Sequence, residues 1–484
     1  MKSSVSAFLW KLMERFGYLG IQFLLQLILA RILSPEHYGV LSLMMIFTTL
    51  ANIFIQTGFN TALIQNKDVK DDDYSSVFWV SFGIAGVLYA IIFFASPWIA
   101  SFYQMPEIVF PLRILALMLF PGAINSIQLA KVSRELDFKK VFVSNIISVV
   151  LSGGIGIAIA VLGGGIWSLV VQTLLQTTFA CLIMFFCVRW YPRFVCNLKR
   201  VKVLFKFGWK LLVSLSLDTL YQDIYSIVIG KKYDSATLGY HNRGKQFPQF
   251  IISAVNGAVQ SVMLPTMSAE QDDKTRIKEL VRNSIVVSSY IVFPIMAGLA
   301  AVSTPLVKIL LTDKWLPCVP YLQIYCISQA FYPVHSCNLQ AINAMGRSDI
   351  FLRLEIIKKI YGVIALVIIV LCFDSPIAIA MTSVITTVIG CFVNAHPNKK
   401  LIGYSYFEQM KDILPSLLLS VSMYLVVMAI GFLPLTNNII LIILQVITGV
   451  AVYALMSAIF RPVPYRFLLD KAKAFIKAKK TNKS

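Results

Sequence analysis

Long apolar blocks recur along the chain at nearly even intervals, each parted from the next by a short polar or basic run. A helix needs about 20 apolar residues to cross a hydrocarbon core. On that measure the chain predicts fourteen spans, at about 8–31, 40–64, 77–100, 108–130, 141–162, 166–188, 204–230, 246–267, 283–303, 317–345, 354–372, 376–394, 412–432 and 436–460. Within the first and seventh spans the polar residues are not scattered. Glu14, Tyr18, Gln22 and Gln26 recur at steps of four, flanked by Lys11 and Arg15; Lys206, Lys210, Ser214, Asp218 and Gln222 do the same 200 residues later. Steps of four wind slowly along one face of a helix, so each span presents a polar stripe.

The two stripes are copies. Phe8, Trp10, Lys11 and Leu12 precede Phe207, Trp209, Lys210 and Leu211 by 199 positions, and residues 34–39 precede residues 234–239 by 200. Asn52 and Gln56 return as Asn256 and Gln260, Ser96-Pro97 as Thr304-Pro305, and Pro111 with Gln128 as Pro320 with Gln340. Six spans per copy is an even number, so both copies run in the same sense and predict two pseudo-symmetric six-helix lobes about an axis along the membrane normal, enclosing a cavity. The expected organisation is a first lobe over 1–200, a second over 201–395, two extra spans over 396–460 and a basic tail over 461–484. The fold class is an all-α polytopic membrane protein. Prolines within spans (Pro111, Pro121, Pro248, Pro265, Pro294, Pro333, Pro415) predict bends, whether fixed or used for motion.

Composition agrees with this pattern. The chain is 58% hydrophobic and 14% charged, against about 25% charged in soluble domains, and its mean hydropathy is +0.76. A net charge of +20 raises nucleic acid as a partner, but the cations sit in short loops rather than in a groove, which argues against one. Around residues 131–140, 189–202, 274–282, 347–359 and beyond 461 they fall on the side of the N-terminus. Only Arg31, Lys231, Lys232, Arg243, Lys245, Lys308 and Lys314 fall on the other, which predicts both termini in the cytoplasm. The tail reads as a basic amphipathic helix lying on anionic membrane lipid.

Candidate chemistry lies on the stripes. Arg15 and Lys210 offer cations for an anion, with Arg113 in the fourth span a third. Snorkelling to the membrane edge is the alternative for Lys11, and neutralising neighbours is the alternative for Glu14 and Arg15. Gln22, Asn52, Gln56, Gln222, Asn256 and Gln260 supply amides for the cavity. Asp218, near mid-span, and Asp223 are candidates for proton or sodium coupling, or for salt bridges. His37, His241 and His396 are placed in loops and His335 on an apolar helix as a core histidine. The eight cysteines show no CxxC or Cys/His spacing and read as packed thiols. No HExxH, P-loop, GxSxG or DxD-type signature appears, so neither cofactor nor metal is expected and the chain does not read as an enzyme.

Several stretches resemble a known family. Residues 29–39 (LARILSPEHYG), 58–65 (GFNTALIQ), Gln128 with 134–139 (RELDFK), 207–210 (FGWK) leading to Asp223, Ile229 and Gly230, 238–244 (LGYHNRG) and 262–265 (VMLP) are similar to Wzx-type oligosaccharide flippases. These belong to the multidrug/oligosaccharidyl-lipid/polysaccharide (MOP) exporter superfamily, and the resemblance lies near its colanic acid and teichuronic acid exporters. It implies export of undecaprenyl-pyrophosphate-linked oligosaccharide across the bacterial inner membrane, with polysaccharide assembly enzymes as possible partners. A drug or cation antiporter of the same fold and a membrane-bound polysaccharide polymerase or ligase are the competing readings. The sugar composition of the cargo and the coupling ion are not encoded in any motif.

Overall fold

In a computed structural model the backbone is described for residues 2–65, 68–270, 273–435, 437–467 and 469–470. Side chains are described for the same residues except 2–16, 57–59, 61–62, 65, 203, 206–208, 210–211, 258–259, 261–262 and 264–265. The chain forms two compact units, Met1–Gly239 and Tyr240–Ser484. The first contains α1 (Lys2–Ile32), α2 (Pro35–Gln65), α3 (Asp71–Tyr103), α4 (Val109–Leu115), α5 (Leu119–Glu135), α6 (Phe138–Val161), α7 (Ile166–Val188) and α8 (Leu198–Lys232). After α9 (Ser235–Ala269), whose first turn still belongs to it, the second unit continues with α10 (Lys274–Ala301), α11 (Ser303–Leu311), α12 (Val319–Ala330), α13 (Tyr332–Ala344), α14 (Ser348–Cys372), α15 (Pro376–Leu401), α16 (Tyr406–Ile430) and α17 (Asn438–Phe460). Among the described residues nine helical segments are long and apolar enough to cross a membrane. The protein is a multi-pass, all-helical membrane protein.

Both broken spans lie where the repeat places them. The fourth is interrupted by a 3-10 turn at Ala116–Met118, between Pro111 and Pro121. The tenth breaks between α12 and α13, just before Pro333. Helix ends differ from the apolar blocks. α9 starts at Ser235 rather than near 246, so His241, Arg243 and Lys245 are helical and not in a loop. His37 and His396 likewise lie within α2 and α15. His241 is fully buried and pairs through Nε2 with the Tyr325 hydroxyl at 2.7 Å. Arg243, 3% exposed, donates to Gln246 Oε1 at 2.6 Å and stands over the Trp315 ring at 5.2 Å. Charged turns stay helical because the backbone satisfies itself in a helix whatever the side chain, whereas hydropathy drops at the first charge. Side-chain caps then fix the starts of α8 (Asn197), α10 (Asp273), α15 (Ser375), α16 (Ser405, with Glu408 completing a capping box) and α17 (Asn437).

Small and polar residues face inward and large apolar ones outward, as lipid demands. Ser144 of α6 donates to the Ala180 carbonyl of α7 at 2.9 Å, while Ile360, Ile364 and Leu371 of α14 are exposed. Two repeated glycines have a steric reason. A Cβ at Gly39 would stand 1.8 Å from the Ser235 carbonyl oxygen, and one at Gly239 would stand 2.1 Å from that of Pro35. The backbones at the starts of α2 and α9 approach so closely that only glycine fits. The predicted tail helix over 461–484 lies largely outside the described residues.

Candidate functional site

In the first unit, several groups of polar side chains meet among the described residues. On α7, Gln172 donates to Gln176 Oε1 at 3.1 Å, and Gln176 donates to the Tyr18 hydroxyl of α1 at 2.6 Å. On α2, Gln56 Nε2 donates to Asn52 Oδ1 at 3.4 Å. Gly122 of α5 leaves space for that pair, since a Cβ there would stand 2.9 Å from Asn52 Oδ1. On α8, Gln222 Nε2 donates to Asp218 Oδ2 at 2.7 Å, one turn away; Asp218 and Asp223 are both half-buried, as is Gln22 on α1. The side chains of Lys11, Glu14, Arg15 and Lys210 lie outside the described residues.

Arg113 has a definite position. Pro97 lacks an N–H, so the carbonyl four residues earlier, that of Phe93, loses its helical donor. Ser96 Oγ donates to this oxygen at 2.8 Å and Arg113 Nε at 3.1 Å. Arg113 also donates to Ser96 Oγ at 2.9 Å, with its guanidinium 4.1 Å from the Phe93 ring centroid. The arginine therefore fastens α4 to the kink of α3.

In the second unit the repeated amides pair differently. Ser336 Oγ of α13 donates to Asn256 Oδ1 at 2.6 Å and accepts from Gln260 Nε2 at 3.3 Å; Asn256 Nδ2 reaches the Tyr332 hydroxyl at 3.5 Å. This is a cluster of neutral donors and acceptors joining α9 to α13. His335 beside it donates from Nε2 to the Thr387 carbonyl at 3.0 Å and accepts at Nδ1 from Asn394 Nδ2 at 3.0 Å, so it is a core histidine satisfied on both nitrogens. Deeper still, Asn338, Asn398 and Gln409, all fully buried, tie α13, α15 and α16 together. Asn338 Nδ2 donates to Gln409 Oε1 at 2.7 Å, and Asn338 Oδ1 accepts from Asn398 at 2.6 Å and Gln409 at 3.0 Å.

Sequence reasoning found Asn52, Gln56, Asn256 and Gln260 but missed Gln172, Gln176 and Ser336. The two glutamines carry the same step-of-four signal that marked α1, whereas a lone serine in an apolar block carries none. Among the described residues no group of three His, Cys, Asp or Glu side chains is placed to hold a metal. Neutral amides and hydroxyls, with a carboxylate on α8, suit reversible hydrogen bonding to hydroxyl-rich or amide-bearing molecules.

The chain is thus an all-α polytopic membrane protein with neutral polar groups among its helices. The fold agrees: superposition on the lipid II flippase MurJ in its inward closed conformation gives a TM-score of 0.78 over 96% of this chain and 100% of that one, at 17% identity. The chain belongs to the polysaccharide biosynthesis protein family, whose profile matches residues 28–320. It is similar to the teichuronic acid biosynthesis protein TuaB of Bacillus subtilis (strain 168), at 29% identity over 307 residues. That match spans 63% of each chain, under two thirds of the relative's length. It is also similar to the succinoglycan biosynthesis transport protein ExoT of Rhizobium meliloti (strain 1021), at 26% identity over 84% of this chain and 80% of the other. The family agrees with the resemblance carried by residues 29–39 and 58–65.

Proposed function

We propose that this protein is a flippase that moves an undecaprenyl-pyrophosphate-linked oligosaccharide from the inner to the outer leaflet of a bacterial inner membrane by alternating access. The family match over residues 28–320 carries this reading. The amide and hydroxyl groups of Asn256, Ser336 and Gln260, and of Asn52 and Gln56, support it, because sugars need partners that both donate and accept. Arg15 and Lys210 are assigned to the pyrophosphate, with Lys11, Glu14, Gln22 and Gln222 in supporting contacts. Asp218, held by Gln222, and Asp223 are assigned to coupling with a proton or sodium gradient. Arg113 is better assigned to holding the α3 kink than to cargo, since its Nε is engaged there. Both termini are placed in the cytoplasm on the cation bias, assembly enzymes are expected near that face, and no chemical step is assigned to the chain.

Reconstitution tests it. Proteoliposomes carrying the purified chain and a fluorescent lipid-linked oligosaccharide should make the label accessible to a membrane-impermeant quencher at a rate that depends on the protein. Lengthened glycans with no change of leaflet would instead identify a polymerase. Cationic dye transport unaffected by the oligosaccharide would identify an antiporter.

A further inference from the structure

An apolar groove of about 500 Å³ opens on the first unit between α2, α3 and α8, lined by Phe47, Leu50, Trp98, Phe102, Leu220 and Ile227 among others. Voids inside a packed protein seldom exceed the ~30 Å³ share of one water, so this space is not a packing defect. Its wall stands out toward the surroundings: Trp98 is 75% exposed and Phe102 52%. In a membrane-spanning unit such a surface meets lipid tails, and Trp98 and Tyr103, close to the C-terminal end of α3, suit the interfacial zone.

One cation stands at the rim. Lys231 lies one helical turn beyond Ile227; its Nζ donates to the Phe102 carbonyl at 2.5 Å and sits 4.5 Å from the Phe102 ring centroid. That carbonyl is in the last turn of α3, where the helix leaves acceptors unsatisfied and the dipole is negative, so the ammonium is held in place. An ammonium carries three donors, and one serves Phe102. The side chain is exposed, so the other two face the medium beside the groove. A dry slot for a hydrocarbon chain thus ends at a positioned single positive charge.

We propose that this groove and Lys231 form a binding site for one anionic phospholipid of the surrounding bilayer, with an acyl chain along α2, α3 and α8 and the phosphodiester on the Lys231 ammonium. A bilayer lipid fits better than a pyrophosphate-bearing prenyl lipid, because a single phosphodiester matches one lysine and the groove opens outward. Native mass spectrometry of the purified full-length chain, titrated with phosphatidylglycerol and with phosphatidylcholine, tests the charge. Phosphatidylglycerol should bind about tenfold more tightly, and Lys231→Gln should abolish that preference while Lys231→Arg keeps it. A diazirine-tailed phosphatidylglycerol should crosslink to residues 46–50 and 95–103, and Leu50→Trp, which fills the groove, should remove that crosslink with the fold intact by thermal unfolding. Equal binding of the two phospholipids, an unchanged preference in Lys231→Gln, or stronger crosslinking by a prenyl pyrophosphate probe than by phosphatidylglycerol would each overturn the assignment.

Discussion

The two units satisfy exposed carbonyls beside their matched prolines with different side chains. In the first, the Phe93 carbonyl freed by Pro97 accepts from Ser96 and from Arg113. In the second, the acceptor lies one residue outside that register: α10 ends at Ala301, and the carbonyl of Ala300, five residues before Pro305, accepts from Ser303 Oγ at 2.7 Å and Gln323 Nε2 at 3.4 Å; Gln323 also donates to Ser303 Oγ at 3.1 Å. Each unit uses a serine hydroxyl, although Ser303 precedes Thr304, the residue that matches Ser96, and the second donor is an amide rather than a guanidinium. The sign of the ion-paired residue on α3 and on α10 also differs. Asp73 at the start of α3 takes Arg200 at 3.1 Å, whereas Arg282 of α10 takes Asp412 of α16 at 2.6 Å. Tyr404, between α15 and α16, donates to Asp412 at 2.8 Å, and burial raises its phenol above the usual range so that it stays a donor. Each unit therefore satisfies an exposed helix carbonyl near its proline with a local serine and one donor from a neighbouring helix, and the chemistry of that donor differs.

Five substitutions break or sharpen the comparison, each read as a shift in thermal unfolding of the purified protein. Asn338→Leu removes the centre of the buried amide cluster that binds α16 to the second unit and strands two amides, with an expected loss of about 3 kcal/mol. Arg113→Ala should cost about 2 kcal/mol, the range for a hydrogen bond to a charged group. Arg113→Gln, which keeps an amide donor of the kind Gln323 supplies, should recover more than half of that; no recovery would show that the site needs the guanidinium itself. Gln323→Ala should cost about 0.6 kcal/mol, typical of neutral side-chain hydrogen bonds between membrane helices. Arg193→Ala, which removes an exposed 3.5 Å pair with Asp72, should change stability by less than about 0.5 kcal/mol.

Hydropathy made the all-helical, multi-pass character legible, because lipid forces nearly every backbone group into helix and leaves length as the main variable; the interruptions of the fourth and tenth spans were legible only as proline bends. Helix ends were not legible. His241 and Arg243 looked like loop residues, yet Tyr325, Gln246 and Trp315 receive them inside α9's surroundings, and those partners lie 3 to 84 positions away. For Arg113 the charge was visible but its partner was not, because the acceptor is a backbone oxygen released by Pro97, a residue that the sequence reading matched to Pro305 without asking which carbonyl it exposed. The internal repeat marked Asn52 with Gln56 and Asn256 with Gln260. Ser336, which closes the second of these clusters, had no pattern to betray it.

A proline in a membrane helix is often where the rod flexes, since a spare oxygen can trade partners as the angle changes. At Pro97 that oxygen already holds two donors, and the guanidinium supplying one of them is clasped against the neighbouring ring. The bend in α3 thus behaves as a welded corner: α3 and α4 would travel as one piece in any working cycle, and whatever bending the protein needs must come from elsewhere.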